Sequence, residues 1–290
     1  MTSNTSNTSN TSNTSNTSNI GNSSGDPGGG WAYADRVNLP FVDQPFVTVP
    51  TDAEIGAWPI PFRPRDWSPI WYAWQALTEF VQLNLALLDP GAPVDSLGNP
   101  PDTASEIRKL VTLARFERAD ALGEILAQKD EFISYFMGLL NATPSGHPET
   151  FRLLHMANLF ATVAAMKFKK QYSRPRPTQI SSVLLGPAPP PGHAAYPSGH
   201  ATQAALMAQW AGEILPAAAV WNATRNNLQR LAFRIARNRE IAGFHYESDS
   251  RGGFMLADKI AAAVENDRTS AAPVIVTFHQ TKYDAAAEWI

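Results

Sequence analysis

From Ser68 onward, apolar residues recur with the spacing of helices that bury one face. SPIWYAWQALTEFVQLNLALL has Ser68 in N-cap position and Pro69 at the first helical position, and LDPG closes it. DTASEIRKLVTLARFERADALGEILAQ begins at a plausible cap, Asp102, and sets Leu110, Leu113, Ala114 and Ala121 on one side. The shorter segment KDEFISYFMGLL follows. HPETFRLLHMANLFATVAAMKFKKQY is apolar at Leu153, Leu154, Ala157, Phe160, Val163 and Ala164, again a helical period. HATQAALMAQWAGEIL runs to Pro216, and PAAAVWNATRNNLQRLAFRIARNR and DSRGGFMLADKIAAAVEN supply two more long helices. Only VIVTF near the end has the look of a strand. The pattern predicts an all-α, single-domain helical bundle spanning residues 31–290.

The first 66 residues have no such period. After Met1 the chain repeats TSN six times and continues as IGNSSGDPGGG, with almost nothing to bury and much backbone entropy to lose, so residues 1–30 are expected to form a disordered tail. Residues 31–66, rich in proline and aromatics, are expected to wrap the core as extended coil. Trp31, Trp58, Trp67, Trp71 and Trp74 lie here and in the next helix, and packing is their expected use.

Composition narrows the chemistry. With 26 acidic against 23 basic residues there is no broad basic surface, which argues against a nucleic-acid partner. The absence of cysteine removes disulfides, thiolate metal sites and a thiol nucleophile. No run approaches the roughly 18 apolar residues of a membrane span, and no secretory signal is visible, so a cytoplasmic location is the expectation. Homo-oligomerisation is left open.

The tetrapeptide PSGH occurs twice, at Pro144–His147 and Pro197–His200. A Ser-Gly-His step opening a helix can hold a phosphate, because the helix start offers unpaired N–H groups and the positive end of the dipole; it can equally be an ordinary cap. Between the copies, KFKKQYSRPRP gathers Lys167, Lys169, Lys170, Arg174 and Arg176. Cations favour a helix C-terminus in any case, so this cluster alone does not define an anion site.

Taken in order, KKQYSRPRP, YPSGH and NREIAGFHYESD resemble the three linked motifs K-x6-RP, PSGH and SR-x5-H-x3-D of the type 2 phosphatidic acid phosphatase superfamily, which joins nonspecific acid phosphatases and vanadium-dependent haloperoxidases. The resemblance spans roughly residues 147–265 and implies a helical bundle with its site between helix ends. It selects the second PSGH and leaves Ser145-Gly146-His147 as a turn leading into the Pro148 helix. Two lysine registers satisfy the first motif, Lys167 with Arg174 and Lys169 with Arg176. Residues two apart on a helix differ by about 200°, so only one lysine can face a site. Tyr172-Ser-Arg-Pro-Arg-Pro matches the spacing in the soluble bacterial phosphatases, which favours Lys169 and Arg176. Asn238 stands where the family has serine.

The resemblance implies that Lys169, Arg176, Ser198, Gly199 and Arg239 bind phosphate, that His245 is the nucleophile, that Asp249 holds its other ring nitrogen, and that His200 is the general acid and base. The expected activity is metal-independent hydrolysis of a small-molecule phosphate ester through a phosphohistidine, without a cofactor. The alternative is a haloperoxidase in which the same residues hold vanadate, with His245 as axial ligand. The remaining histidines, His155, His193 and His279, are expected to be satisfied polar residues.

Overall fold

The computed structural model describes residues 51–53 and 62–290. The expected tail at 1–30 and most of the proline- and aromatic-rich segment, Trp31 and Trp58 included, lie outside the described residues. The described residues contain helices and no strand.

At the centre stands α5 (Pro148–Tyr172), apolar on nearly all sides and therefore buried. It packs against α1 (Pro69–Phe80), α7 (Gly199–Ile214) and α10 (Val276–Ala287), while α7 is also flanked by α8 (Asn222–Ile241) and α9 (Glu247–Arg268). Phe160 of α5 stacks on Phe80 of α1 at 4.2 Å and meets Trp210 of α7 edge-on, which locks three helices around one aromatic knot. Trp71 and Trp74 depart from their expected packing use: on α1 they remain 55% and 36% exposed, because Ala73, Ala76 and Leu77 form the inward face.

Three local features differ from the apolar pattern. The run from Ser68 ends as an α-helix at Phe80, and Leu85–Leu88 is a separate 3-10 turn. The pattern from Asp102, whose carboxylate caps Ala104 N at 3.0 Å, breaks at Glu117 into α2 (Thr103–Phe116) and α3 (Arg118–Ala127). This break lets Arg118 donate to the carbonyls of Ile241 (2.9 Å) and Leu185 (3.0 Å), and it swings α3 against the end of α8. VIVTF, expected to be strand-like, instead leads into α10. Asp267 accepts from the N–H groups of Val274 and Ile275, both at 3.0 Å. Glu79 of α1 accepts from Thr277 N (2.8 Å) and Thr277 Oγ1 (2.6 Å). Two carboxylates, Asp267 nearby and Glu79 distant in sequence, cap this helix start, overriding a local β preference.

The shorter α-helices among the described residues include α4 (Ile133–Leu139) and α6 (Pro177–Ile180). No helix among the described residues is long and apolar enough to cross a membrane.

Gly252 and Gly253 let α9 touch the segment that opens α7. A Cβ on Gly252 would stand 2.2 Å from the Tyr196 ring, and one on Gly253 would stand 2.7 Å from the Ser198 carbonyl. Gly252→Ala is therefore expected to destabilise the fold by about 1–3 kcal/mol, the usual cost of overpacking. A denaturation midpoint equal to wild type would mean that the ring can leave without cost, despite the 2.7 Å bond from its hydroxyl to the Gly91 carbonyl.

Candidate active site

The C-terminal turn of α5 separates the two lysines. Lys167 is exposed, whereas Lys169 is buried and donates through Nζ to the carbonyls of Ala194 (2.8 Å) and Ala195 (2.9 Å). Ser173, in left-handed conformation (φ 47°), ends the helix, and the chain then runs extended through Arg176. Arg176 is buried too. It donates to the carbonyls of His193 and Phe244, each at 2.8 Å, and its NH2 contacts His193 Nδ1 at 3.0 Å. Residues 193–195 thus lie between the two cations.

Those residues lead directly into the second PSGH. Ser198 caps α7, its Oγ accepting from Ala201 N at 3.4 Å, and its own N–H bonds the Asp249 carbonyl at 2.9 Å. The N–H groups of Gly199 and His200 find no acceptor among the described residues, and a Cβ on Gly199 would meet nothing within 4 Å. The first PSGH is arranged differently. It forms a turn before α5, whose N-terminus already holds an anion: the Glu288 carboxylate accepts from Glu149 N at 2.7 Å and from Thr150 N at 2.9 Å. Both helix starts suit an anion, but one is filled by the chain itself.

The remaining groups come from the α8–α9 corner. Arg239, near the end of α8, is buried and donates to the Ile125 carbonyl at 2.6 Å, while its Nε has no partner among the described residues. Asn238 donates to Glu124 (3.1 Å) and Gln128 (2.9 Å), tying α3 and the loop after it to α8. His245 pairs through Nδ1 with Asp249 Oδ2 at 3.2 Å, and the same oxygen accepts from Tyr246 N at 3.0 Å. His200 donates through Nε2 to the Gln128 carbonyl at 3.1 Å, which leaves Nδ1 as its acceptor nitrogen.

Burial and neighbouring charge act together on these groups. Burial pushes His245 well below the ordinary histidine range, and the charges of Lys169 and Arg176 push it further. Burial, then Arg239, brings His200 down to about 3. Lys169 is depressed by burial and by Arg176, and burial brings Arg176 and Arg239 each to about 10. Asp249 is raised by burial despite the opposing pull of Arg174. None of Lys169, Arg176 and Arg239 forms an ion pair among the described residues. Three buried cations held only by uncharged partners leave an excess of positive charge, which an oxyanion of the shape of phosphate or vanadate would neutralise.

The eight residues singled out from the motifs therefore converge. Four neighbours join them, of which only Arg174, in the alternative lysine–arginine register, is marked by the motifs. Gln128 is buried, receives Asn238 and His200, and keeps Nε2 unpartnered among the described residues. His193, expected to be an ordinary polar residue, touches Arg176 and is brought down to about 4 by burial and Lys169. Arg174 and Glu106 form an ion pair at 2.7 Å. The other two histidines lie apart: His279 pairs with Asp267 at 3.0 Å, while His155, against expectation, has a buried Nδ1 with no partner among the described residues and a ring packed edge-on against Phe151.

No family model and no curated protein matches the sequence. Among solved structures, the chain is similar to the crystal structure of the first transmembrane PAP2 type phosphatidylglycerolphosphate phosphatase from Bacillus subtilis, with a TM-score of 0.31 and 15% identity over 70% of this chain and 98% of that one.

Proposed function

We propose that this protein is a phosphoric ester hydrolase that works through a phosphohistidine intermediate and needs no metal. The observation that carries this reading is the convergence of Lys169, Arg176 and Arg239, buried and without an ion pair among the described residues, on the open N-terminus of α7, beside a histidine whose second nitrogen is already engaged. Phosphoryl transfer asks a protein mainly for positioning and for positive charge around the equatorial oxygens. The three-motif resemblance points the same way.

The hydrogen bonds support a role for each atom. Asp249 occupies His245 Nδ1, so Nε2 carries the lone pair that attacks phosphorus. As the P–N bond forms and the P–O ester bond breaks, His200 Nδ1 supplies the proton to the leaving alkoxide. In the second half, His200 Nδ1 takes a proton from water, whose oxygen displaces His245 and releases phosphate. His200 is neutral in the anion-free site, so its proton arrives with the substrate: a phosphate monoanion carries one and its charge offsets that of Arg239.

The test is hydrolysis of p-nitrophenyl phosphate with and without vanadate. Competitive inhibition is expected, with vanadate bound at least about 100-fold more tightly than substrate, as transition-state mimics are. Full activity in saturating vanadate would count against the site. Halide-dependent bromination after vanadate loading, with no ester hydrolysis, would instead establish the haloperoxidase.

A further inference from the structure

Arg174 belongs to the lysine–arginine register that was set aside, and ester hydrolysis as outlined above gives it no task. Its side chain is nonetheless 12% exposed and engaged at both ends of its fork. NH1 donates to Asp249 Oδ1 and to Ser248 Oγ, each at 2.7 Å, and NH2 donates to Glu106 Oε2 at 2.7 Å. The Tyr246 ring lies beneath the guanidinium at 3.9 Å. Glu106 then returns to α9, its Oε1 accepting from Ser248 N (3.0 Å) and Ser248 Oγ (2.7 Å).

We infer that Arg174 and Glu106 are positioning residues for the His245–Asp249 pair, a buried brace from α2 that fixes the carboxylate which orients the imidazole. The inference rests on the hydrolase reading for its consequence in turnover. Asp249 Oδ2 is shared by Tyr246 N and His245 Nδ1, and Oδ1 by Arg174 alone among the described residues. The carboxylate cannot turn about its own axis without breaking one of these bonds. A lysine could neutralise Asp249 but could not reach Asp249, Ser248 and Glu106 with one planar group. Because both terminal nitrogens are engaged and charge-paired, Arg174 is not an oxyanion ligand, in contrast to Arg176 and Arg239. A buried ion pair is in itself weak evidence for stability. The orientation of His245 Nε2 is what this one controls.

Arg174→Met, Arg174→Lys and Glu106→Gln, assayed as the full chain on p-nitrophenyl phosphate, separate positioning from binding. Arg174→Met is expected to lower kcat roughly 10- to 100-fold, the range found when groups that orient a ligating or reacting imidazole are removed. KM and the vanadate Kd should stay within about threefold. Arg174→Lys should recover part of kcat, and Glu106→Gln should lose about tenfold, since the fork keeps Asp249 but loses its anchor. A kcat equal to wild type in all three variants would overturn the inference, as would a loss confined to KM. Should Arg174→Met fail to fold, the near-isosteric Glu106→Gln and the charge-keeping Arg174→Lys decide by the same readouts. The proton resonance of His245 Nδ1–H keeps the question separate from activity. If wild type hydrolyses no ester, loss or displacement of that resonance in the variants still supports the brace, and an unchanged resonance sinks it.

Discussion

His245→Ala is expected to reduce ester turnover by about 10⁴-fold or more, the scale seen when the nucleophile of a triad is deleted. Phosphate and vanadate should still bind, because Lys169 on α5, Arg176 before α6, Ser198 at the cap of α7 and Arg239 on α8 do not depend on the imidazole. His200→Ala should behave differently. A leaving group that is stable as an anion needs little protonation, so this variant should retain more activity on p-nitrophenyl phosphate than on an alkyl phosphate. Rapid quenching then distinguishes the two histidines. His200→Ala should accumulate phosphoenzyme, since its second half lacks the base that activates water, and His245→Ala should form none. Phosphoenzyme in His245→Ala would move the nucleophile elsewhere, and an unchanged leaving-group dependence in His200→Ala would remove its acid role.

The parts of this site visible in the motifs are those whose spacing is local. The four-residue step from His245 to Asp249 brings the pair together at the start of α9, and Ser198-Gly199-His200 reads as a cap before an apolar period. The choice between Lys167 and Lys169 is also a local question, since a helix turns by about 100° per residue and the apolar stripe through Phe160 and Ala164 continues to Phe168 beside Lys169. Glu106 could not be found this way, because it meets Ser248 across 142 residues and no period links α2 to α9. The same holds for Gln128, which contributes a backbone carbonyl as well as its side chain. Arg174 was visible but ambiguous. In the extended run after Ser173, residues two apart are equally placed to reach the site, and only the carboxylates of Glu106 and Asp249 distinguish it from Arg176. The helix at Val276 was hidden for a related reason: its β-branched start is stabilised by Glu79, 198 residues away.

Lys169→Ala is expected to lower kcat/KM by about 10²- to 10³-fold, the usual effect of losing one donor to a developing charge. Lys167→Ala, on the exposed face of the same turn, should stay within about twofold of wild type. Equal losses would show that the wrong register was chosen. Stability should move in the opposite sense to activity. Burial and Arg176 hold the folded-state pKa of Lys169 below its unfolded value of about 10.4. Between the two values the unfolded chain binds more protons, so the anion-free wild type gains stability as pH rises through that window, and the gain disappears in Lys169→Met, which buries no charge. Anion binding runs the other way. A bound oxyanion favours the protonated lysine, so above the depressed pKa each binding event must take up a proton, and affinity should fall by up to roughly tenfold per pH unit. Sulfate, whose own charge is constant near neutrality, isolates this effect: calorimetric titrations in buffers of different ionisation enthalpy should reveal proton uptake in wild type and less of it in Lys169→Met. Identical uptake in the two proteins would place the titrating group elsewhere. A site that costs the empty protein stability and recovers it on binding an anion is what separates a buried lysine held for chemistry from one tolerated by the fold.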